Sequence, residues 1–298
     1  MVESKSLVIG ASGIVGSRIV ERLLVTGERP TGLSRNHRRS AGVTWIRGDL
    51  LDPQSVAWPD VEIIYCTASA RLLADAIPSM ARPSLRRVVL FTTTSISTKV
   101  DSADPEERAG LAEYARAEMD VIEGCESRGI GWTVLRPTLI YDEGRDVNVT
   151  RIASLISKIR FFPLCGRGHG LRQPVHAADC AIAAVSAVST ARAENKIYNL
   201  PGGETITYRE MIGRIFDGID RARCIVPVPP FLWEASFHLL RSKFPHIKPE
   251  MGKRMAKNMV FDQAPARSDL EWKPRPFKPS FRGVLDRRAP TADLGGVD

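Results

Sequence analysis

Ten residues near the start, Leu7-Val8-Ile9-Gly10-Ala11-Ser12-Gly13-Ile14-Val15-Gly16, constrain what the rest of the chain can build. An apolar run ends in glycines, and Ile14, Ile19, Leu23 and Leu24 then mark one helical face. The pattern predicts a first β-strand, a tight glycine turn and a helix N-terminus. Such a turn is an anion site by construction. Glycines let the backbone approach a pyrophosphate, and the free N–H groups of the helix stand behind it. The spacing is G-x-x-G-x-x-G rather than the commoner G-x-G-x-x-G, so the strand–helix context carries the expectation of a dinucleotide. The competing reading is a plain strand–helix turn with no ligand.

The segments that follow repeat the alternation. Strands are predicted at 31–34, 43–47, 61–66, 87–91 and 131–135, with helices near 72–80 and over 105–128. Continuous apolar strands alternating with helices imply an α/β fold with a doubly wound parallel sheet of Rossmann type. Ligands then belong beyond the carboxyl ends of the strands, here 10–16, 34–39, 66–70, 92–98 and 137–141. After Tyr141 the regularity ends. Helices are predicted at 149–160, 177–189, 207–217, 231–240 and 248–257, with strands at 196–200 and 224–228. The expected organisation is a dinucleotide-binding domain over 1–145 and a small C-terminal substrate lobe over 146–284, which returns to the sheet at about 170–200. A Pro/Arg-rich end gives way to a frayed tail over 285–298.

Composition excludes several classes. The net charge is +8, yet no basic run is interleaved with aromatics, which argues against nucleic acid as the main partner. Five widely spaced cysteines without a C-x-x-C argue against zinc and against a disulfide framework, and no metal is expected. Each is expected as a small buried residue. The first strand starts at once, leaving no room for a signal peptide, and no apolar run approaches the ~18 residues of a membrane span. The expected location is the cytoplasm.

The order of motifs from about Ser6 to Pro279 resembles the extended short-chain dehydrogenase/reductases, the NAD-dependent epimerase/dehydratase family. The resemblance rests on Gly10-Ala-Ser-Gly-Ile-Val-Gly16, Gly48-Asp49-Leu50, Phe91-Thr-Thr-Thr-Ser95, Leu135-Arg136-Pro137, Val175-His176-Ala-Ala-Asp179 and Tyr198-Asn199-Leu200. It implies cofactor contacts from Gly10, Ser12, Gly13, Ile14, Val15 and Gly16. Asp49 and Leu50 would lie near the adenine, Ala68 and Ser69 under the adenosine ribose and pyrophosphate, and Pro137 beside the nicotinamide.

At the end of the second strand, where an acid would bind an adenosine 2′-hydroxyl, the chain has Ser34 and Arg35. An arginine there accommodates a 2′-phosphate, so NADP(H) is expected ahead of NAD(H), with a solvated basic loop as the alternative. The resemblance assigns catalysis to Thr94, which would hydrogen-bond the reacting oxygen, and to Tyr114, which would transfer the proton. A tyrosine titrates near ~10, so it needs a nearby cation to act near neutral pH. The family supplies a lysine four residues on, whereas this chain has Glu118. Three outcomes stay open: Tyr114 is an ordinary helix residue, Glu118 or His176 acts as an unusual acid, or a cation arrives from elsewhere in the fold.

On the substrate side the resemblance places Asn148 and Arg172 against the phosphates of a nucleotide-sugar, with a surface ion pair as the alternative for Arg172. His176 reads as a structural histidine at a helix start. The apolar side of 231–240 and the basic residues beyond it read as a packing helix. The sharper alternative is contact with an anionic membrane surface for a lipid-linked substrate. The expected function is an NADP-dependent oxidoreductase or epimerase acting on a nucleotide-sugar or similar anionic small molecule. The alternative is a catalytically silent NADP-binding sensor. The family also suggests a homodimer through the helices at 72–80 and 105–128.

Overall fold

Strands that are apolar on both faces must be covered twice. The computed structural model, which describes residues 5–98, 105–234 and 250–284, covers them twice. The strands are β1 (Ser6–Ile9), β2 (Thr31–Ser34), β3 (Thr44–Arg47), β4 (Ile63–Cys66), β5 (Arg87–Phe91) and β6 (Gly131–Pro137). With Lys196–Leu200 they form a seven-stranded sheet in the order Lys196–Leu200, β6, β5, β4, β1, β2, β3. Every pairing is parallel. The order reverses around β1, which lies between β2 and β4, and that reversal opens the crevice in which such sheets bind ligands.

The helices are α1 (Ile14–Val25), α2 (Ala70–Met80), α3 (Ser95–Thr98) and α4 (Pro105–Glu126). On one face, Ile19 and Leu23 of α1 join Val8, Tyr65 and Val89 of the strands and Ala181 and Ala184 of the helix Ala177–Ser189. On the other, Leu73 and Ile77 of α2 and Val121 and Ile122 of α4 cover Leu7, Ile64 and Val88. Helices α2 and α4 also pack on each other, close enough that a Cβ on Gly124 would lie 3.3 Å from Ile77 Cδ1.

The chain divides into two compact units: Met1–Ile140, Gln173–Glu204 and Met259–Pro276 make one, and Tyr141–Arg172, Thr205–Asn258 and Phe277–Asp298 the other. The first unit therefore receives the chain back twice, where the sequence suggested a single return. The second return is held by the helix Ala264–Leu270. Ala266, Leu270 and Trp272 are buried against the sheet core, and Trp272 Nε1 donates to the Pro201 carbonyl at 3.1 Å. Short apolar segments carry too little periodicity to announce such a return. In the second unit, Ile225–Val228 pairs in parallel with Phe162–Cys165, and Tyr141 meets the Phe277 ring edge-on at 4.9 Å.

Cys66, Cys125, Cys165 and Cys180 are buried, but Cys224 is exposed, against the expectation for all five. It sits just ahead of the strand Ile225–Val228, where the chain is still outside the core. Among the described residues no helix is long and apolar enough to cross a membrane. The expected tail at 285–298, part of the helix expected at 231–240 and much of the basic run 241–257 lie outside the described residues.

Candidate functional site

The β1–α1 turn is closed by glycine. Gly10 has φ +78°, and a Cβ there would stand 2.5 Å from Thr67 Oγ1. A Cβ on Gly16 would stand 2.1 Å from the Gly10 carbonyl oxygen, so α1 packs directly against the turn. Gly13 donates its N–H to that same carbonyl at 2.8 Å and is the N-cap of α1. The first turn of α1 has no acidic side chain and no side-chain cap. Such an N-terminus favours an anion. Val15 and Gly16 are buried, while Ser12 and Gly13 are exposed. Thr67, which sequence reasoning missed, ties the end of β4 to the turn by donating to the Ile9 carbonyl at 3.2 Å.

The other cofactor candidates line the same strand ends. Ser34 closes β2, and its Oγ accepts the Asn36 N–H at 3.2 Å. Arg35 is exposed. Asp49 Oδ1 accepts the Leu51 N–H at 3.1 Å, fixing the turn that buries Leu50. Ala68 is half-buried, and Ser69 is the exposed N-cap of α2, whose end it does not cap with its side chain. Just before them, burial pushes the Cys66 thiol up to about 12, which removes it as a nucleophile.

Thr94 is buried, and its hydroxyl donates to the Pro137 carbonyl at 3.1 Å, tying the end of β5 to the end of β6. Tyr114 is 54% exposed on α4. Glu118, one turn further along, is 1% exposed. Its carboxylate accepts from the Thr92 hydroxyl at 2.7 Å and from Arg136 Nε at 3.1 Å, and Arg136 Nη2 bonds its other oxygen. Arg136, at the end of β6, is thus a cation that the fold delivers to this part of α4. Glu118 does not stand as an unmatched charge on the Tyr114 face; it anchors α4 to the ends of β5 and β6. His176 is the N-cap of the helix Ala177–Ser189, with Nδ1 accepting the Ala178 N–H at 3.0 Å, as a structural histidine would.

The two substrate candidates lie in the second unit. Asn148 is exposed, and it is the N-cap of the helix Val149–Ile159 without a side-chain bond. Asp146 does that work. Its carboxylate accepts the Asn148 N–H at 2.8 Å, the Thr150 N–H at 3.1 Å and the Thr150 hydroxyl at 2.6 Å. Arg172 is buried, not on the surface. Its Nη1 donates to the carbonyls of Leu171 at 2.8 Å and Lys257 at 2.7 Å, and its Nη2 to that of Arg254. It therefore caps the C-terminus of the helix Glu250–Ala256, where a cation meets the negative end of the helix. The Tyr208 ring stacks 5.2 Å from its guanidinium, and burial pulls its pKa below the usual arginine value. Replacing Arg172 with Ala is expected to cost about 1–2 kcal/mol through lost capping, read as a lower melting temperature whether or not a substrate is present.

A family model described as NAD(P)H-binding matches residues 10–157. The chain is 22% identical to a 2-alkyl-3-oxoalkanoate reductase of Shewanella oneidensis, covering 90% of this chain and 81% of that one. It is 20% identical to a UDP-glucose 4-epimerase of Vibrio cholerae, covering 90% of each. The structure of a UDP-glucuronic acid 4-epimerase from Bacillus cereus in complex with NAD superposes with a TM-score of 0.72 at 14% identity, covering 94% of this chain and 98% of that one.

Proposed function

The chain belongs to the extended short-chain dehydrogenase/reductase family, and on that premise we propose that it is an NADP(H)-dependent oxidoreductase or epimerase acting on a nucleotide-sugar or similar anionic carbonyl or hydroxyl compound. The observation that carries the reading is the Gly10–Gly16 turn, whose 2.1 Å clearance at Gly16 leaves room for backbone but not for a side chain. The residues at the strand ends suit the cofactor. The α1 N-terminus would take the pyrophosphate, Asp49 and Leu50 the adenine, and Ala68, Ser69 and Pro137 the stretch towards the nicotinamide. Arg35, with no acid at the end of β2, favours the phosphorylated dinucleotide. When bound, the nicotinamide supplies or accepts hydride. Thr94 would orient the reacting oxygen and Tyr114 would move its proton. Asn148 remains open to a substrate phosphate, while Arg172 has only Nε and one Nη2 hydrogen left for such a role. The cytoplasm is the proposed location.

Fluorescence titration tests the cofactor. NADPH is expected to bind at least tenfold more tightly than NADH, and equal affinity would refute the preference. Turnover is then followed with UDP-glucose and UDP-glucuronic acid for epimer formation, and with a 3-oxo acid for NADPH consumption. Epimer formation supports the nucleotide-sugar reading, whereas NADPH loss with the oxo acid alone transfers it to that substrate class.

A second reading has a specific support. The Thr94 hydroxyl is committed to Pro137, and Arg136 is matched by Glu118 rather than left as a free cation for a tyrosine. A silent NADP-binding sensor fits those commitments. Tight NADPH binding with no turnover on any of the three substrates would favour it.

A further inference from the structure

The reading of NADP(H) leaves a charge to be matched. A phosphate monoester such as the 2′-phosphate carries nearly two negative charges at pH 7, and Arg35 offers one positive charge. From Arg29 to Gly48 the chain has five arginines and neither Asp nor Glu. The last of these arginines, Arg47, closes β3. In the parallel ladder its partner is Ser34, the residue that closes β2, and Gly48 N–H donates to the Ser34 carbonyl at 3.1 Å. Residues paired in a parallel ladder project to the same face, so the Ser34 hydroxyl and the Arg47 side chain leave neighbouring strand ends on one side of the sheet.

The loop between them is held against that face. Trp45, two residues before Arg47, also projects there, and its ring lies over Gly32, where a Cβ would be 2.8 Å from the ring. Arg38 stacks on Trp45 with its guanidinium carbon 5.8 Å from the ring centroid, and Trp45 Nε1 donates to Ser40 Oγ at 2.8 Å. The far half of the loop thus folds back over β3, and Arg38 is occupied by the ring. Ser34 Oγ accepts the Asn36 N–H, which leaves its own proton to donate. Among the described residues neither Arg35 nor Arg47 pairs with a carboxylate, and both are exposed.

We infer that Ser34, Arg35 and Arg47 together form a phosphate-monoester site, and that Arg47 is a specificity-determining residue for the phosphorylated dinucleotide. The inference rests on the NADP(H) reading. It adds a second guanidinium from a different strand, so that two planar forks and one hydroxyl face a dianion.

The test is a set of titrations with NADPH, NADH, adenosine 2′,5′-bisphosphate and 5′-AMP on the full chain, its Arg47→Ala and Arg47→Lys variants, and Arg35→Ala. Arg47→Ala is expected to weaken NADPH and the 2′,5′-bisphosphate about tenfold while NADH and 5′-AMP stay within twofold. Arg47→Lys should recover part of the loss. NADPH affinity within twofold of the parent in Arg47→Ala, alongside a loss in Arg35→Ala, would overturn the role of Arg47 and leave the NADP(H) reading intact. Equal losses for NADPH and NADH would mean that Arg47 only supports the loop, which also overturns it. A parent protein that binds the 2′,5′-bisphosphate no better than 5′-AMP would instead sink the NADP(H) reading, and the inference with it.

Discussion

Gly16→Ala is expected to reduce NADPH affinity at least 100-fold, while Gly27→Ala leaves it unchanged. Gly16 lies in the first turn of α1 and Gly27 just past its C-terminal end, and their surroundings differ. The added methyl at Gly16 would stand 2.1 Å from the Gly10 carbonyl oxygen, 2.7 Å from its carbon and 3.0 Å from Ala11 Cα, all of them backbone. Nothing flexible can give way, so α1 must retreat from the turn by about 1 Å and loosen its N–H bonds to a pyrophosphate, each worth about 1.5–3 kcal/mol, so that losing one or two costs about 10²-fold or more in affinity. The same overpacking costs about 1–3 kcal/mol of stability. Gly27 has φ +84° and no atom within 4 Å of its missing Cβ, so alanine there meets backbone strain alone, of about 1 kcal/mol. Cofactor fluorescence read beside a thermal melt distinguishes the two costs. Gly16→Ala that melted early yet bound NADPH normally would show that the turn is structural and that the cofactor lies elsewhere.

The glycine turn and the strand ends around it were legible because their signals are local. A glycine that must clear a neighbouring carbonyl, an N-cap and a strand end all lie within a few residues of one another. The parallel sheet was legible for the same reason, since β1, β4 and β5 carry short apolar runs between breakers. What the sequence hid is set by pairing between distant segments. Glu118 sits four residues after Tyr114, and the spacing alone makes it a carboxylate in place of a cation. Only the sheet brings Arg136 to it, from 18 residues further on. Arg172 reads as a phosphate contact or a surface ion pair, and nothing in its neighbourhood announces the helix end at Arg254 and Lys257 that it caps. Ser34 and Arg47 are separated by 13 positions and become neighbours only through strand register. Long-range pairing of this kind is not periodic and leaves no local trace.

Breaking the Glu118–Arg136 pair should be the most damaging side-chain change near the candidate catalytic residues. Glu118 is 1% exposed and Arg136 21%, and two bonds join them in a fork. Removing one partner strands the other charge where water is scarce, at a cost of about 3–5 kcal/mol. For 298 residues that is a drop of roughly 5–8 °C in melting temperature. Glu118→Ala and Arg136→Ala are therefore each expected to melt early, and Glu118→Gln to fall less, because the amide still accepts from one donor. Replacing both, as Glu118→Leu with Arg136→Met, should recover much of the loss, since no buried charge then lacks a partner. Glu118→Lys is the severe case. Judged by spacing alone, it restores the family's cation four residues after Tyr114. In the fold it sets an ammonium against the Arg136 guanidinium in a buried site and takes the acceptor from the Thr92 hydroxyl. The expected result is a less stable protein without increased turnover. A Glu118→Lys variant that kept its melting temperature and gained activity would show that α4 can turn to a different register, with Tyr114 brought to its cation by another route.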